Sequence, residues 1–293
     1  MKCLVIGGKG YLGKNLAYYL KGRNCDVRIY DVVPSEEKNY MCVDMTNPES
    51  VSTIDLNVDY IYMFAGLTRT YAGFDAYEKY IKNNEIALLN LLNAIRLSEY
   101  RPKIIFPSSR LVYKGYDKPL KEDAEKEAKT IYAANKIACE GFLQAYCNSF
   151  DIPYTVFRIC VPYGALQSSN NTFFGTVGFF LKQASAGKEV SLYGGGTIKR
   201  TFTFMEDVCY QIVEGAMKKE SDGQIYNVGG ETLSLRQVAE IIANKFRTKV
   251  VDVPWPDKDL RIESGHTFFD DTKIQDLLGG MTYKRLEDFM KYV

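Results

Sequence analysis

The chain has one histidine and one tryptophan in 293 residues. A Ser–His–Asp relay or a histidine-rich metal centre is thereby nearly excluded, since His266 has no second imidazole to work with, and no metal is expected. The seven cysteines (Cys3, Cys25, Cys42, Cys139, Cys147, Cys160 and Cys209) form no Cys-x-x-Cys pair. Several fall inside apolar runs, which reads as reduced, buried thiols in a cytoplasmic protein. No run approaches the roughly 18 apolar residues of a membrane helix. The first apolar run, Cys3–Ile6, is too short for a signal peptide and ends in glycine, so no membrane partner is expected. Nor is either charge in excess: 37 Lys+Arg face 36 Asp+Glu, which argues against a broad surface for nucleic acid or anionic lipid.

What is present is ordinary globular material, 46% hydrophobic, enough for one large α/β domain or two smaller ones. The first thirteen residues carry the clearest pattern. Cys3-Leu4-Val5-Ile6 stops at Gly7-Gly8, Gly10 and Gly13 follow at three-residue steps, and Leu12, Leu16 and Leu20 then recur at helical spacing. This is strand, glycine turn, helix. Gly7 suits the tight turn, Gly10 leaves room for a pyrophosphate, and Gly13 lets the helix pack closely on the sheet, its amides and positive dipole end facing phosphate. Asp26–Asp31 reads as the second strand and ends in a carboxylate about 20 residues on. That acid suits the ribose hydroxyls of an adenosine and repels a 2′-phosphate, which favours NAD over NADP.

Further strands follow as near-continuous apolar runs, without the alternation of half-exposed sheets. Val58–Gly66 ends in the small pair Ala65-Gly66, Lys103–Phe106 runs into Ser108-Ser109, and Tyr154–Cys160 is stopped by Pro162-Tyr163-Gly164. Such runs belong to parallel strands covered by helices on both faces, a doubly wound α/β fold. Val43-Asp44-Met45 is expected to end a short third strand, with Asp44 near the adenine. Helices are expected over Tyr77–Ser98, Ala128–Phe150, Phe173–Ala184, Glu206–Met217, Ser234–Phe246 and Lys284–Tyr292, with a polar loop over Gln167–Asn171. The pattern divides into residues 1–164 plus about 201–228 as a dinucleotide-binding domain. Residues 165–200 plus 229–293 then make a smaller substrate-binding region.

Tyr132 and Lys136 sit four apart, on one face of their expected helix. A phenol ionises near pH ~10, and a neighbouring ammonium lowers that value, so the pair suits proton exchange with a sugar hydroxyl while hydride moves. Ser109, at a strand's C-terminal end, is placed to share that proton. Any one of these signals is common by chance; an exposed Tyr and Lys on a helix face is the ordinary alternative. Their conjunction, in this order, is specific.

In these residues the sequence resembles the extended short-chain dehydrogenase/reductase family, in its nucleotide-sugar epimerase/dehydratase branch. The matches run nearly end to end: Gly7-x-x-Gly10-x-x-Gly13, Asp31, Asp44, Ala65-Gly66, Asn84, Ser108-Ser109 before Val112-Tyr113, Tyr132-x-x-x-Lys136, Arg158 with Tyr163-Gly164, Gly194–Gly196 before Arg200, Asp207-Val208, Tyr226–Gly229 and Asp270-x-x-Lys273. The resemblance implies a Rossmann domain with catalytic Ser109, Tyr132 and Lys136. It implies an NAD site made by Gly7, Gly10, Tyr11, Leu12, Gly13, Asp31, Asp44, Met45, Phe64, Ala65, Gly66, Asn84 and Lys136. A nucleotide-diphosphate sugar would meet Ser109, Arg110, Tyr132, Val161, Arg200 and Arg261, with Arg200 on the diphosphate. A homodimer through the helices near Tyr77–Ser98 and Tyr132–Phe150 is also implied.

Three departures shape the expected reaction. Sugar 4,6-dehydratases of this family carry Asp-Glu just after the catalytic hydroxyl residue, where this chain has Arg110-Leu111, so elimination of water is disfavoured. Val161 stands where many relatives have a substrate-touching Asn. Glu263-Ser264-Gly265-His266 replaces a common Arg-x-Gly-Asp, with Arg261 two residues early. The expected activity is NAD-dependent epimerisation of a nucleotide sugar at C4. A 4-ketoreductase making a deoxysugar nucleotide is the alternative, and a non-catalytic dinucleotide sensor a third reading.

Overall fold

The computed structural model of the protein describes residues 1–164 and 175–293. The expected Gln167–Asn171 loop and the expected helix start at Phe173 lie outside them. In chain order, β1 (Lys2–Ile6) leads through the glycine turn to α1 (Tyr11–Gly22), β2 (Asp26–Asp31) and β3 (Tyr40–Cys42). α2 (Pro48–Ser52) and β4 (Tyr60–Met63) follow, then two single turns, α3 (Ala72–Asp75) and α4 (Tyr77–Tyr80). A π-helix over Ile81–Ile86 joins α4 to α5 (Ala87–Leu97). Next come β5 (Lys103–Ser109), α6 (Ile131–Phe150), β6 (Tyr154–Ile159) and β7 (Val161–Tyr163). The remainder alternates α7 (Gly175–Ser185), β8 (Val190–Tyr193), β9 (Lys199–Phe204), α8 (Met205–Met217), β10 (Gln224–Asn227), β11 (Glu231–Ser234), α9 (Leu235–Phe246) and β12 (Val250–Val253). It closes with α10 (Asp257–Ile262), α11 (Thr272–Leu278) and α12 (Leu286–Met290).

Seven of these strands form one parallel sheet in the order β3-β2-β1-β4-β5-β6-β10. Its two faces are separate cores. Leu4 and Ile6 of β1 pack with Leu88, Leu91, Leu92 and Ile95 of α5 and with Cys139 and Leu143 of α6. Cys3 and Val5, pointing the other way, pack with Leu16 and Leu20 of α1 and Val208 and Ile212 of α8. A strand buried on both faces has no polar side to show, which is why these strands read as unbroken apolar runs. The chain runs outward from β1 through β2 to β3, crosses back to β4 and runs outward the other way through β5 and β6 to β10, so the strand order reverses between β1 and β4, where a crevice opens at the carboxyl ends of the strands. A third core joins the small sheets β11-β9-β7 and β12-β8 to α7, α9 and α12.

Several expected boundaries move for local reasons. The third strand is Tyr40–Cys42 rather than a stretch ending at Met45, because the Asp44 amide turns away to the Ser50 hydroxyl, 2.9 Å. α6 begins at Ile131, where the Thr130 hydroxyl accepts the Ala133 amide at 3.1 Å and caps the helix. The last helix is only Leu286–Met290. The single helix expected over Tyr77–Ser98 is interrupted by the π-helix, a form that concentrates where a helix must re-aim a side chain. Here that side chain is Asn84. Its Oδ1 accepts the Leu67 amide at 2.7 Å and its Nδ2 donates to the Leu67 carbonyl at 3.1 Å.

Candidate active site

The glycine turn is dictated by what it must pass. Gly7 adopts φ +83°, and a Cβ there would collide with the Phe64–Ala65 backbone at the end of β4. A Cβ on Gly13 would collide with the Gly7 carbonyl, so α1 is seated directly on the turn. Gly10 begins α1 and offers no side chain to cap it. The result is a wall of bare backbone at a helix N-terminus, the form that accepts a phosphate.

Along this wall lies a cleft of about 440 Å³, lined by Gly7, Gly10, Tyr11, Leu12, Gly13, Phe64, Ala65, Gly66, Ser109, Tyr132 and Lys136. A second hollow of about 360 Å³ is lined by Asp31, Asp44 and Met45. The two share Gly7, Lys9, Gly10, Phe64, Ala65, Gly66 and Leu67, so they are the halves of one trough. Asp31 ends β2 with its Oδ2 accepting the Lys9 amide at 2.9 Å and its Oδ1 accepting the Val33 amide at 3.2 Å. A carboxylate has about four acceptor sites, so lone pairs remain for a ligand's hydroxyls. A side-chain-free wall, a continuous trough and an acid at the far end together fit a dinucleotide.

At the other end, Ser109, Tyr132 and Lys136 are brought together by β5 and α6, each nearly buried (8%, 8% and 7% exposed). The Lys136 ammonium donates to the Pro107 carbonyl at 2.6 Å and lies 4.2 Å from the Phe106 ring centroid and 5.8 Å from that of Tyr132. Burial brings Lys136 down to about 8. The Tyr132 phenol differs from the sequence expectation of a lowered pKa. Burial pushes it up to about 12, and the groups pulling it back are the Ser109 hydroxyl and the Arg110 guanidinium. Removal from water outweighs these favourable charges, and the lysine is aimed at a backbone carbonyl rather than at the phenol.

The remaining expected residues lie off the trough. Asn84, 5% exposed, sits behind Gly66 and Leu67 and holds their backbone in place, with Nδ2 also 3.2 Å from Asn135 Oδ1. Val161 is buried on β7 and Arg261 is exposed on α10. Arg200, 2% exposed, is ion-paired with Glu263 and donates to the Gly265 carbonyl. Burial and the nearby Arg110 bring its pKa down to about 10, against the pull of Glu263. Arg110 is half-buried and donates to the Thr267 hydroxyl at 3.0 Å.

Sequence reasoning overlooked two groups. Lys9 lines both halves of the trough, and its ammonium is tied to Ser35 (2.9 Å) and Glu37 across the loop after β2. Its place between two motif glycines was the available signal. Glu140 lies one helical turn beyond Lys136, the spacing that puts it on the same face. It binds the Arg158 Nε at 2.9 Å and Nη2 at 2.7 Å, and accepts the Ser108 hydroxyl at 2.7 Å. Arg158 Nη1 donates in turn to the Tyr113 hydroxyl at 2.6 Å, and Tyr113 to Asn227 Oδ1 at 2.7 Å. Burial alone would raise Glu140, but Arg158 holds it below the usual carboxylate value. This satisfied network ties β5, α6, β6 and β10 together beneath Ser109, Tyr132 and Lys136.

Known proteins resemble this chain in fold or in sequence. A UDP-glucose 4-epimerase from Thermus thermophilus, crystallised with NAD, superposes with a TM-score of 0.85 at 22% identity, covering 99% of this chain and 97% of that one. A UDP-N-acetyl-alpha-D-glucosaminuronate decarboxylase of Bacillus cytotoxicus is 25% identical over 87% of this chain and 84% of its own. A UDP-glucuronate 4-epimerase of Thermodesulfobacterium geofontis is 24% identical over 73% of this chain and 66% of its own. Residues 3–229 match the model of the NAD dependent epimerase/dehydratase family, and the chain belongs to that family.

Proposed function

We propose that the protein is an NAD-dependent nucleotide-sugar epimerase acting at C4. The observation that carries this reading is the single trough that joins Asp31, the glycine wall and the Ser109–Tyr132–Lys136 group. Asp31 favours the unphosphorylated adenosine ribose, and Asp44 and Met45 line the same hollow. Bound NAD supplies the acceptor that takes the C4 hydride and gives it back. Tyr132, as the phenolate that the Lys136 ammonium and the charge of a bound oxidised nicotinamide would favour, takes the proton of the C4 hydroxyl as the carbonyl forms, and returns it to the same oxygen after the keto sugar has presented its opposite face. Ser109 donates a hydrogen bond to that oxygen, and Lys136 supplies positive charge from a nearly buried position. The cited relatives are named as epimerases and a decarboxylase, and none as a ketoreductase. Arg110-Leu111 leaves no carboxylate pair for dehydration.

The same reading assigns residues 1–164 and about 201–228 to cofactor binding, and the rest to the sugar nucleotide. It pairs two copies through the face that exposes Tyr77, Ile81, Ile86 and Phe150. A cytoplasmic site of action fits seven free thiols, and among the described residues no helix is long and apolar enough to cross a membrane.

Denaturing the purified protein and weighing the released dinucleotide tests the assignment, together with a panel of nucleotide sugars offered without added cofactor. Retained NAD and cofactor-free interconversion at C4 are expected. Net consumption of added NADH or NADPH by a 4-keto sugar nucleotide would replace this reading with the reductase.

A further inference from the structure

The adenosine end of the trough carries more charge than Asp31 alone. Among the described residues that line its hollow there is one cation, Lys9, beside the acids Asp31 and Asp44. Lys9 and Asp31 touch, since the Lys9 amide donates to Asp31 Oδ2 at 2.9 Å. The Lys9 side chain therefore leaves the glycine turn next to the carboxylate expected to face the ribose. Its ammonium reaches across to the loop after β2, donating to the Ser35 hydroxyl at 2.9 Å and to Glu37 Oε1 at 2.5 Å, and lies 4.9 Å from the Tyr40 ring centroid. The loop is tied back in turn, with the Val33 amide on Asp31 Oδ1 at 3.2 Å and the Tyr40 hydroxyl on the Val33 carbonyl. Lys9 holds the Glu37 carboxyl below the usual carboxylate value, so the acid is ionised at neutral pH. Glu37 is exposed, and an exposed ion pair does little for the fold. What it changes is the charge that a ligand meets at the ribose.

A lysine ammonium is a compact charge with three donors, and phosphate oxygens are strong acceptors for it. NAD and NADP differ at one place, the 2′-oxygen of the adenosine ribose, which carries a phosphate only in NADP. Asp31 repels that phosphate, but an unoccupied Lys9 beside it would offset the repulsion. With Glu37 counted, two acids face one base and the balance at the ribose is negative. We propose that Glu37 is a second determinant of cofactor choice: by occupying Lys9 it withdraws the one lining cation that could hold a 2′-phosphate, so that selection of NAD is divided between Asp31 at the strand end and Glu37 in the loop. This rests on the dinucleotide reading of the trough given above.

Cofactor exchange on the intact protein tests this. The protein is brought to equilibrium with equal concentrations of NAD and NADP, freed of unbound dinucleotide and denatured, and the released dinucleotides are identified and counted by mass. The wild type is expected to hold NAD in excess. Glu37→Gln keeps the side chain's shape and removes its charge, and is expected to raise the ratio of NADP to NAD by about 10-fold, the worth of a charge-assisted hydrogen bond. Glu37→Gln combined with Lys9→Met is expected to return the ratio to the wild-type value or below. A ratio that Glu37→Gln leaves unmoved overturns the proposal. So does a gain that survives the loss of Lys9, because Glu37 would then act through its own charge and not by occupying the lysine. Failure of the cofactor reading looks different: a wild type that takes NADP as readily as NAD, or holds neither, overturns that reading and the proposal with it before any variant is made.

Discussion

The two halves of the trough are built on opposite plans. The half around Asp31 leans on backbone: a glycine turn, a helix end and the tail of β4, with Asp31 at the end of β2 and Lys9 and Asp44 beside it. The half around Tyr132 is made of side chains drawn from β5 and α6 and, off the trough, from β9 and the segment before β10's neighbour α11. A backbone site needs residues that are absent or small, and their spacing follows from the local geometry of one β-turn-α unit. A side-chain site needs partners from distant parts of the chain, and each partner's charge depends on who else arrives. The contrast between Arg158 and Arg200 shows this within one residue type. Both are essentially buried, but Arg158 is held above its ordinary value by Glu140 and Tyr113 despite burial, whereas Arg200 falls to about 10 through burial and the nearby Arg110.

The comparison can be broken at its reactive end first. Tyr132→Phe removes one oxygen and is expected to lower kcat by about 10²- to 10⁴-fold, the usual worth of a positioned acid–base group, while NAD remains bound. Near wild-type turnover in a direct assay of sugar conversion would remove Tyr132 from the chemistry. Glu140→Gln sharpens the difference between reacting and supporting groups. It leaves Arg158 buried without its charge partner and is expected to cost about 3–5 kcal/mol of stability, read as a lower urea midpoint. An unchanged midpoint would mean that the pair contributes nothing net.

At the backbone end, Asp31→Ala deletes the carboxylate that ends β2. NAD binding is expected to weaken by about 10- to 100-fold, with discrimination against NADP relaxed, both measurable by titration. A preserved preference for NAD would show that Asp31 does not select the cofactor. The smallest effect concerns pH. Lys136 falls from 10.5 to about 8 on burial, so between those values the unfolded chain holds this proton and the folded chain does not. The contribution of Lys136 to stability therefore rises with pH across that window. Urea midpoints of the wild type relative to Lys136→Met are expected to shift in the wild type's favour from pH 8 to pH 10, and a flat difference would contradict the lowered value.

The doubly wound class, the glycine turn, Asp31 and the Ser109–Tyr132–Lys136 group were all legible in the amino-acid order, because each depends on short-range spacing: period and run length for the strands, three-residue steps for the glycines, one helical turn for Tyr132 and Lys136. Asn84 was legible as a position and not as a role. Only the fold shows that it grips Leu67 through a π-helix, since that hydrogen bond spans 17 residues. Glu140 escaped notice because an acid on a helix reads as solvated until β6 places Arg158 beneath it.

By itself, then, the sequence determined that β1 turns on Gly7 into α1, that β2 ends in an acid, and that a tyrosine and a lysine share a helix face beyond a serine-ended strand. Local sterics and periodicity suffice for each of these. The tertiary structure decided the charge states: that Tyr132 is raised rather than lowered, that Arg200 is answered by Glu263, and that Arg110 has no ion-pair partner among the described residues. Those depend on burial and on contacts between residues tens to more than a hundred positions apart, where only the packed chain fixes which charges meet.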